Sequence, residues 1–365
     1  MLIRGLAPKT LYHLLCDSPA PINPDQPLRV FYCVCDHFEP MWNGANIDVE
    51  RHRVAQWRQT LPSLMEPFRD SIGRKPQHTF FFPEEQYRRE HLDAIRELHD
   101  LQLGDVEVHL HHDNDTAEGL RQTLLSFTSK LHHDHGFFQP TADGKFSYGF
   151  IHGNWCLCNA RPDKRYCGVD NEIEILRQTG CYADFTLPAA PDPSQTKIIN
   201  SIYYANDIPG QSRSHDYGAL ARVGGSPPDD SLLMIQGPLM VDWSDRIAGV
   251  VPRLDYCNLQ GRRAATVPRL LRWVRGSVIV QGQPNWRFVK VHTHGCEEGN
   301  AEILLGKPMR DFHQSLGQYA AETKNFEYYY VTAREMASLV KQAEAGATVP
   351  NFDTQNAITE SVGLH

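Results

Sequence analysis

Long apolar runs are missing from this chain of 365 residues. No stretch approaches the roughly 20 apolar residues that a membrane-spanning helix needs. A basic excess is missing too, since the formal net charge is −8. That excludes a general nucleic-acid binder, which carries a basic surface. It also leaves no electrostatic reason to sit on an anionic membrane. Paired Cys-x-x-Cys motifs are absent. Nine cysteines, an odd count in a chain this size, fit free thiols better than a disulfide framework. The first ten residues show neither the apolar core nor the small-residue cleavage site of a secretory signal, so the cytoplasm is the expected location. No internal repeat and no low-complexity segment appears.

What remains is globular: 41% hydrophobic and 22% charged, enough to bury a sizeable core. Histidine is the excess residue, with 18 against 16 phenylalanines. Imidazole is both a leading metal ligand and an acid–base group near neutral pH.

The apolar pattern predicts strands at Leu28 to Cys35, Gln77 to Phe82, Val106 to Leu110, Lys145 to His152, Tyr182 to Leu187, Ser231 to Ile235 and Trp286 to His292. Helices are predicted between them, among others from Val49 to Met65, Arg88 to Leu101, Thr116 to Leu131 and Asn171 to Gln178. Alternation of strands and helices means βα units and a largely parallel sheet. About seven units across one domain, residues 28–345, suggest a barrel, with a doubly wound open sheet as the competing architecture. Residues 1–27 read as a lead-in and 346–365 as a loose tail. A long insertion, 188–230, is rich in Pro, Gly, Ser and Asp. Its segment around Arg213 and His215 is expected to fold over the site and contact substrate.

The C-terminal strand ends of an α/β sheet are where sites are built. Here they carry Asp36-His37, the run Val106-Glu-Val-His-Leu-His-His-Asp-Asn-Asp115, His152 to Trp155, Asp184, and His292-Thr-His294. So many ionisable groups at one mouth suit a metal or acid–base site. Two ligand sets fit: His37, His111 and Asp115, or Asp36, His109 and His111. The second rests on residues i and i+2 of a strand sharing a face, a rule that turns His112 away. A separate zinc knot from Cys156, Cys158, Cys167 and Cys181 is a weaker reading. Asn154, Trp155 and the tyrosines near 203–204 could meet a sugar.

In order and character these strand ends resemble the NodB-type polysaccharide deacetylases, carbohydrate esterase family four. The stretch Val34-Cys-Asp36-His37 is similar to that family's Thr-Phe-Asp-Asp motif. Glu107-Val-His-Leu-His111 is similar to its second motif, with Asp115 where a histidine is usual. Asp184-Phe185 and Phe288-Val-Lys-Val-His292 resemble the fourth and fifth motifs. The third is matched poorly at Phe150 to Trp155, where the usual Arg is missing. The resemblance implies a distorted (β/α)7 barrel and a divalent metal, zinc being expected, held by His37, His111 and Asp115. It implies removal of an acyl group, N-acetyl first, from a sugar or polysaccharide precursor. Asp36 would be the base, His292 or His294 the acid, and Asp184 an orienting carboxylate. Asn154, Trp155, Arg213 and His215 would bind substrate. Rival readings are a glycoside hydrolase using Asp36 and Asp184, and a non-catalytic carbohydrate-binding relative.

Overall fold

The computed structural model describes residues 6–16, 18–141 and 143–353. The termini of the lead-in and tail therefore lie partly outside the described residues. Twelve strands are present among them: β1 Leu28–His37, β2 His78–Pro83, β3 Gly104–Leu110, β4 Tyr148–His152, β5 Cys181–Asp184, β6 Ile202–Ala205, β7 Ala219–Leu220, β8 Leu232–Ile235, β9 Met240–Ile247, β10 Val251–Asp255, β11 Trp286–Thr293 and β12 Phe326–Tyr330. The α-helices are α1 Pro8–Cys16, α2 Ile47–Met65, α3 Arg89–Asp100, α4 Ala117–His135, α5 Glu172–Gln178, α6 Val267–Arg275, α7 Glu298–Leu304, α8 Lys307–Glu322 and α9 Ala333–Glu344.

The protein is a mixed α/β molecule with a mostly parallel central sheet. Its strand order is β11-β1-β2-β3-β4-β5-β8-β6-β7, with β12 also paired to β1. Every pairing from β11 through β8 is parallel, while β6 runs antiparallel to β7 and β8. Order climbs steadily from β1 to β5, with no reversal such as a doubly wound sheet has at its switch point. The far edge is joined to the near one through the segment before β11. Gln281 N donates to Ala221 O at 2.8 Å, Val223 N to Gln281 O at 2.8 Å, and Phe288 N to Val278 O at 3.0 Å. The hairpin of β9 and β10 stands apart.

Strand alternation sorts the core into two faces. On β1, Phe31, Cys33 and Cys35 point inward with Phe81, Ile151, Ala183 and Phe288, beneath α9 residues Met336 and Val340. Val30, Tyr32 and Val34 point outward with Phe80, Val108, Leu110 and Phe150. There they meet Trp57 and Leu61 of α2, Leu92 and Ile95 of α3, and Leu120 and Leu124 of α4. Each such fully buried side chain is worth about 1.5–3 kcal/mol. Helix starts are set by local chemistry. Asn46 caps α2 through Asp48 N and Val49 N, and the Thr116 hydroxyl accepts from Gly119 N at α4. Both are the residue types that satisfy orphan amides.

The insertion at 188–230 supplies β6 and β7 to the sheet edge. Period-two and period-3.6 patterns could not announce these very short strands, nor β12, whose run Phe-Glu-Tyr-Tyr-Tyr sits directly between two helices.

Candidate functional site

Alternation carries past the last apolar residues and decides where each strand-end group points. Odd positions of β1 face inward, so His37 and, two residues on, Glu39 enter the mouth. On β3, His109 and then His111 do the same. On β11, whose Val289 and Val291 belong to the outer layer, Lys290, His292 and His294 face inward.

Three imidazoles converge on the Glu39 carboxylate. Oε1 lies 3.2 Å from His109 Nε2 and 3.1 Å from His111 Nε2, and Oε2 lies 3.1 Å from His294 Nδ1. Glu39 is buried. Burial pushes its carboxyl up, but the three histidines outweigh it and hold the group well below the usual range. His109 Nδ1 sits 2.8 Å from Ile151 O. Since a carbonyl only accepts, that nitrogen carries a proton, and Nε2 is left to meet Glu39. His111 Nδ1 meets Glu85 Oε1 at 2.6 Å. Burial lowers His111, and the two carboxylates reverse this and lift it to about 10. Its ring lies over Gly153, where an added Cβ would come within 2.3 Å.

His37 completes the cluster, its ring 4.8 Å from that of His109 and 4.7 Å from that of His294. Burial first, then the neighbouring imidazoles, keep it well below the ordinary histidine range and neutral. His292 is likewise pushed down by burial and by Lys290, and is backed by Cys257 Sγ at 3.8 Å. Indoles line the rim: Trp42 lies 4.8 Å from the His294 ring, and Trp155 lies 6.3 Å from it.

The structure brings His37, His109, His111, His292 and His294 to one face. Asp36 falls on the other. Its Oδ2 meets His78 Nε2 at 2.9 Å and its Oδ1 accepts from Gly295 N at 2.6 Å, beside Trp57 of α2. Asp184 also lies on the outer side, in register with outer Phe150. It accepts from the hydroxyl and amide of Thr186 at 2.7 and 3.0 Å. Burial raises its pKa to about 7.

Asp115 does not join His111 either. It follows α4's approach on the outer face, 3.1 Å from His112 Nδ1. Burial pulls His112 down, but Asp115 and Glu172 outweigh it and raise it to about 9. His152 also faces outward. Its Nε2 is 3.4 Å from Glu172 Oε1, and burial drops it to about 4.

Arg213 spends its guanidinium on Ala160 O, Pro193 O and Gln195 O and on Asp216, while His215 is fully buried beside it. Arg213 thus binds this chain rather than the mouth, and both ring nitrogens of His215 are buried without a hydrogen-bond partner. Asn154 and Trp155 stand at the rim with positive φ. Of the four cysteines of the expected knot, Cys156, Cys158 and Cys181 turn to Asn154 O, Asp207 Oδ1 and Ala183 O, and only Cys167 faces the histidines. Glu39, Glu85 and Glu172 carry no motif of their own. Glu39 had one available signal, its place two residues beyond His37 on an inward-facing strand end.

No family model and no curated protein matches this chain. Among solved structures, the crystal structure of the 4-alpha-glucanotransferase from Thermococcus litoralis aligns with 86% of this chain at 11% identity and a TM-score of 0.43. The alignment covers 40% of that enzyme, so this chain spans less than half of its length.

Proposed function

We propose that this protein is a metal-dependent hydrolase that removes an acyl group from a sugar or sugar-linked precursor. The observation that carries the reading is the convergence of His109, His111 and His294 on the one buried carboxylate of Glu39. The donor set fits a divalent ion. His109 sets Nε2 against a carboxylate oxygen, where a metal ion can take the place of a shared proton, and its Nδ1–H is already held by a carbonyl, as metal-binding histidines commonly are. Glu39, His109 and His111 would hold the ion, with two imidazoles and a carboxylate matching an open catalytic zinc site.

A bound zinc polarises a carbonyl and lowers the pKa of water. The chain's own residues do the rest. Neutral His37 offers a lone pair to take a proton. His294, anchored on Glu39, is placed to deliver one to a leaving group. Trp42 and Trp155 offer flat apolar faces at the rim, as sugar rings require. The joined edges of the sheet and the C-terminal position of every group agree with the barrel that the deacetylase resemblance implies.

A second reading, glycosidic cleavage, takes support from Glu39 and Glu85. They occupy opposite ring nitrogens of His111, and a carboxylate pair set apart by one imidazole falls in the roughly 5–10 Å range such enzymes use. Asp36 and Asp184 do not serve it, since both face outward.

The test is acyl release from acetylated sugars by the full chain, with and without chelator, beside Glu39→Gln. Acetate release lost on chelation and in the variant is expected. New reducing ends without acetate, unaffected by chelation, would move the assignment to glycosidic cleavage.

A further inference from the structure

A second cluster lies on the outer side of the same strand ends, and the hydrolytic reading leaves it unused. It joins His112 just after β3, His152 at the end of β4, Cys167 in the loop after β4, and Glu172 at the start of α5. One donor atom from each falls within 4.8 Å of the others. Cys167, His152 and Glu172 have fully buried side chains, and only 7% of the His112 side chain is exposed.

The separations are those of ligands around one small ion. His112 Nε2 is 3.3 Å from Glu172 Oε1, His152 Nε2 is 3.4 Å from the same oxygen, and Cys167 Sγ is 3.4 Å from Oε2. Bonds of about 2.0–2.3 Å in a tetrahedron put donor atoms roughly 3.3–3.8 Å apart. The protonation pattern points the same way. His152 Nδ1 faces the carbonyl of Gly153, so it carries the proton and Nε2 is bare. That fully buried Nε2 has no hydrogen-bond partner and is aimed at a carboxylate oxygen. Its lone pair faces a carboxylate oxygen that is already met by His112 Nε2.

Burial and Glu172 push the Cys167 thiol well up, so the sulfur carries negative charge only with a cation beside it. Backbone amides of Asn159 and Val169 both donate to Cys167 Sγ at 3.4 Å, and hydrogen bonds to the charged form favour it. A buried thiolate without a nearby cation is costly. The loop is also built to deliver this residue. Asp115 N donates to Cys167 O at 3.0 Å, and Tyr166 N donates to Asp113 Oδ1 at 2.8 Å. Gly168 has φ +108°, and a Cβ there would come within 2.4 Å of Asp115 N.

We infer that His112, His152, Cys167 and Glu172 form a closed metal centre, separate from the mouth, that takes zinc or a similar thiophilic divalent ion. All four positions are supplied by the protein, the arrangement of a structural rather than a catalytic site. A thiolate with imidazoles selects zinc over magnesium or calcium. The ion clamps the loop from His152 to Glu172 onto the β3–α4 turn, which directly follows the strand that carries His109 into the mouth and itself carries His111.

The test uses the full chain, stripped and refilled with Co(II) under reducing conditions. A thiolate-to-cobalt charge-transfer absorption is expected in the wild type, lost in Cys167→Ser and kept in Glu39→Gln. Zinc content should fall by one ion per chain in Cys167→Ser and in His152→Ala. The wild-type spectrum decides even where a variant fails to fold. No charge-transfer absorption in the wild type would overturn the inference, leaving a proton-held network of His112, Asp115 and Glu172. Absorption that persists in Cys167→Ser would also overturn it, since Cys257 beside His292 would then be the thiol involved. Loss of hydrolytic activity in Glu39→Gln with the absorption intact separates this centre from the one at the mouth.

Discussion

Two histidine clusters grow from one strand end, and a single step of alternation separates them. His109 and His111 turn inward to Glu39, while His112, one residue on, turns outward to Glu172. The inward cluster has a side chain open to solvent, His111 at 30%, indoles at its rim, and no thiol among its three convergent groups. The outward cluster is sealed and includes a cysteine. Both offer imidazole and carboxylate. The difference lies in access: an open ligand set suits chemistry on a substrate, and a closed one suits holding the chain together.

The strongest way to break this contrast is Glu39→Gln. It removes the charge on which three imidazoles rest, and turnover should fall at least about 100-fold, well beyond what the accompanying loss of stability explains. Equal loss of stability and activity would mean that the inward cluster is structural too. A smaller effect comes from Gly168→Ala. The added Cβ strains the loop that presents Cys167, and zinc affinity of the outward centre should fall about 10–100-fold. Competition with a chromogenic chelator would read it, and the inward site should be untouched.

His313 sharpens the comparison from outside both clusters. It is buried against Tyr330, whose hydroxyl lies 2.7 Å from Nδ1, and burial lowers its pKa from 6.5 to about 3. Above pH 6.5 the imidazole is neutral in folded and unfolded chains alike, and its contribution is fully present. Below 6.5 the unfolded chain binds a proton that the folded one refuses. Stability should therefore fall as pH drops from 6.5 toward 3, by up to about 1.4 kcal/mol per pH unit. His313→Phe should flatten that limb in denaturant titrations. An unchanged slope would show that the cluster histidines dominate the acid limb.

The smallest effect belongs to the rim. Trp42→Ala should raise KM a few-fold, in line with about 0.5–1.5 kcal/mol for an aromatic contact, with kcat nearly unchanged. A fall in kcat alone would place Trp42 in support of His294 instead of substrate.

Much of this could be read along the chain. Seven strand patterns correspond to β1–β5, β8 and β11, and the helices between them lie where their periodicity places them. The inward sharing of His109 and His111 follows from their spacing. Other assignments required the folded chain. Asp36 reads as a base beside a ligand, yet β1 turns it outward to His78 and Gly295. Asp115 reads as a partner of His111, yet the turn into α4 carries it to His112. Arg213 looks like a substrate contact in a polar loop, but it spends its hydrogen bonds on backbone carbonyls of Ala160, Pro193 and Gln195.

By itself the sequence determined the alternation of strands and helices and the set of ionisable residues at the strand ends, because hydrophobic period is a local property. Tertiary structure alone decided which of those residues meet. Glu39 and His109 are 70 positions apart, and His112 and Glu172 are 60 apart. Contacts at that range depend on sheet order and on the face each side chain takes, and no local period encodes either.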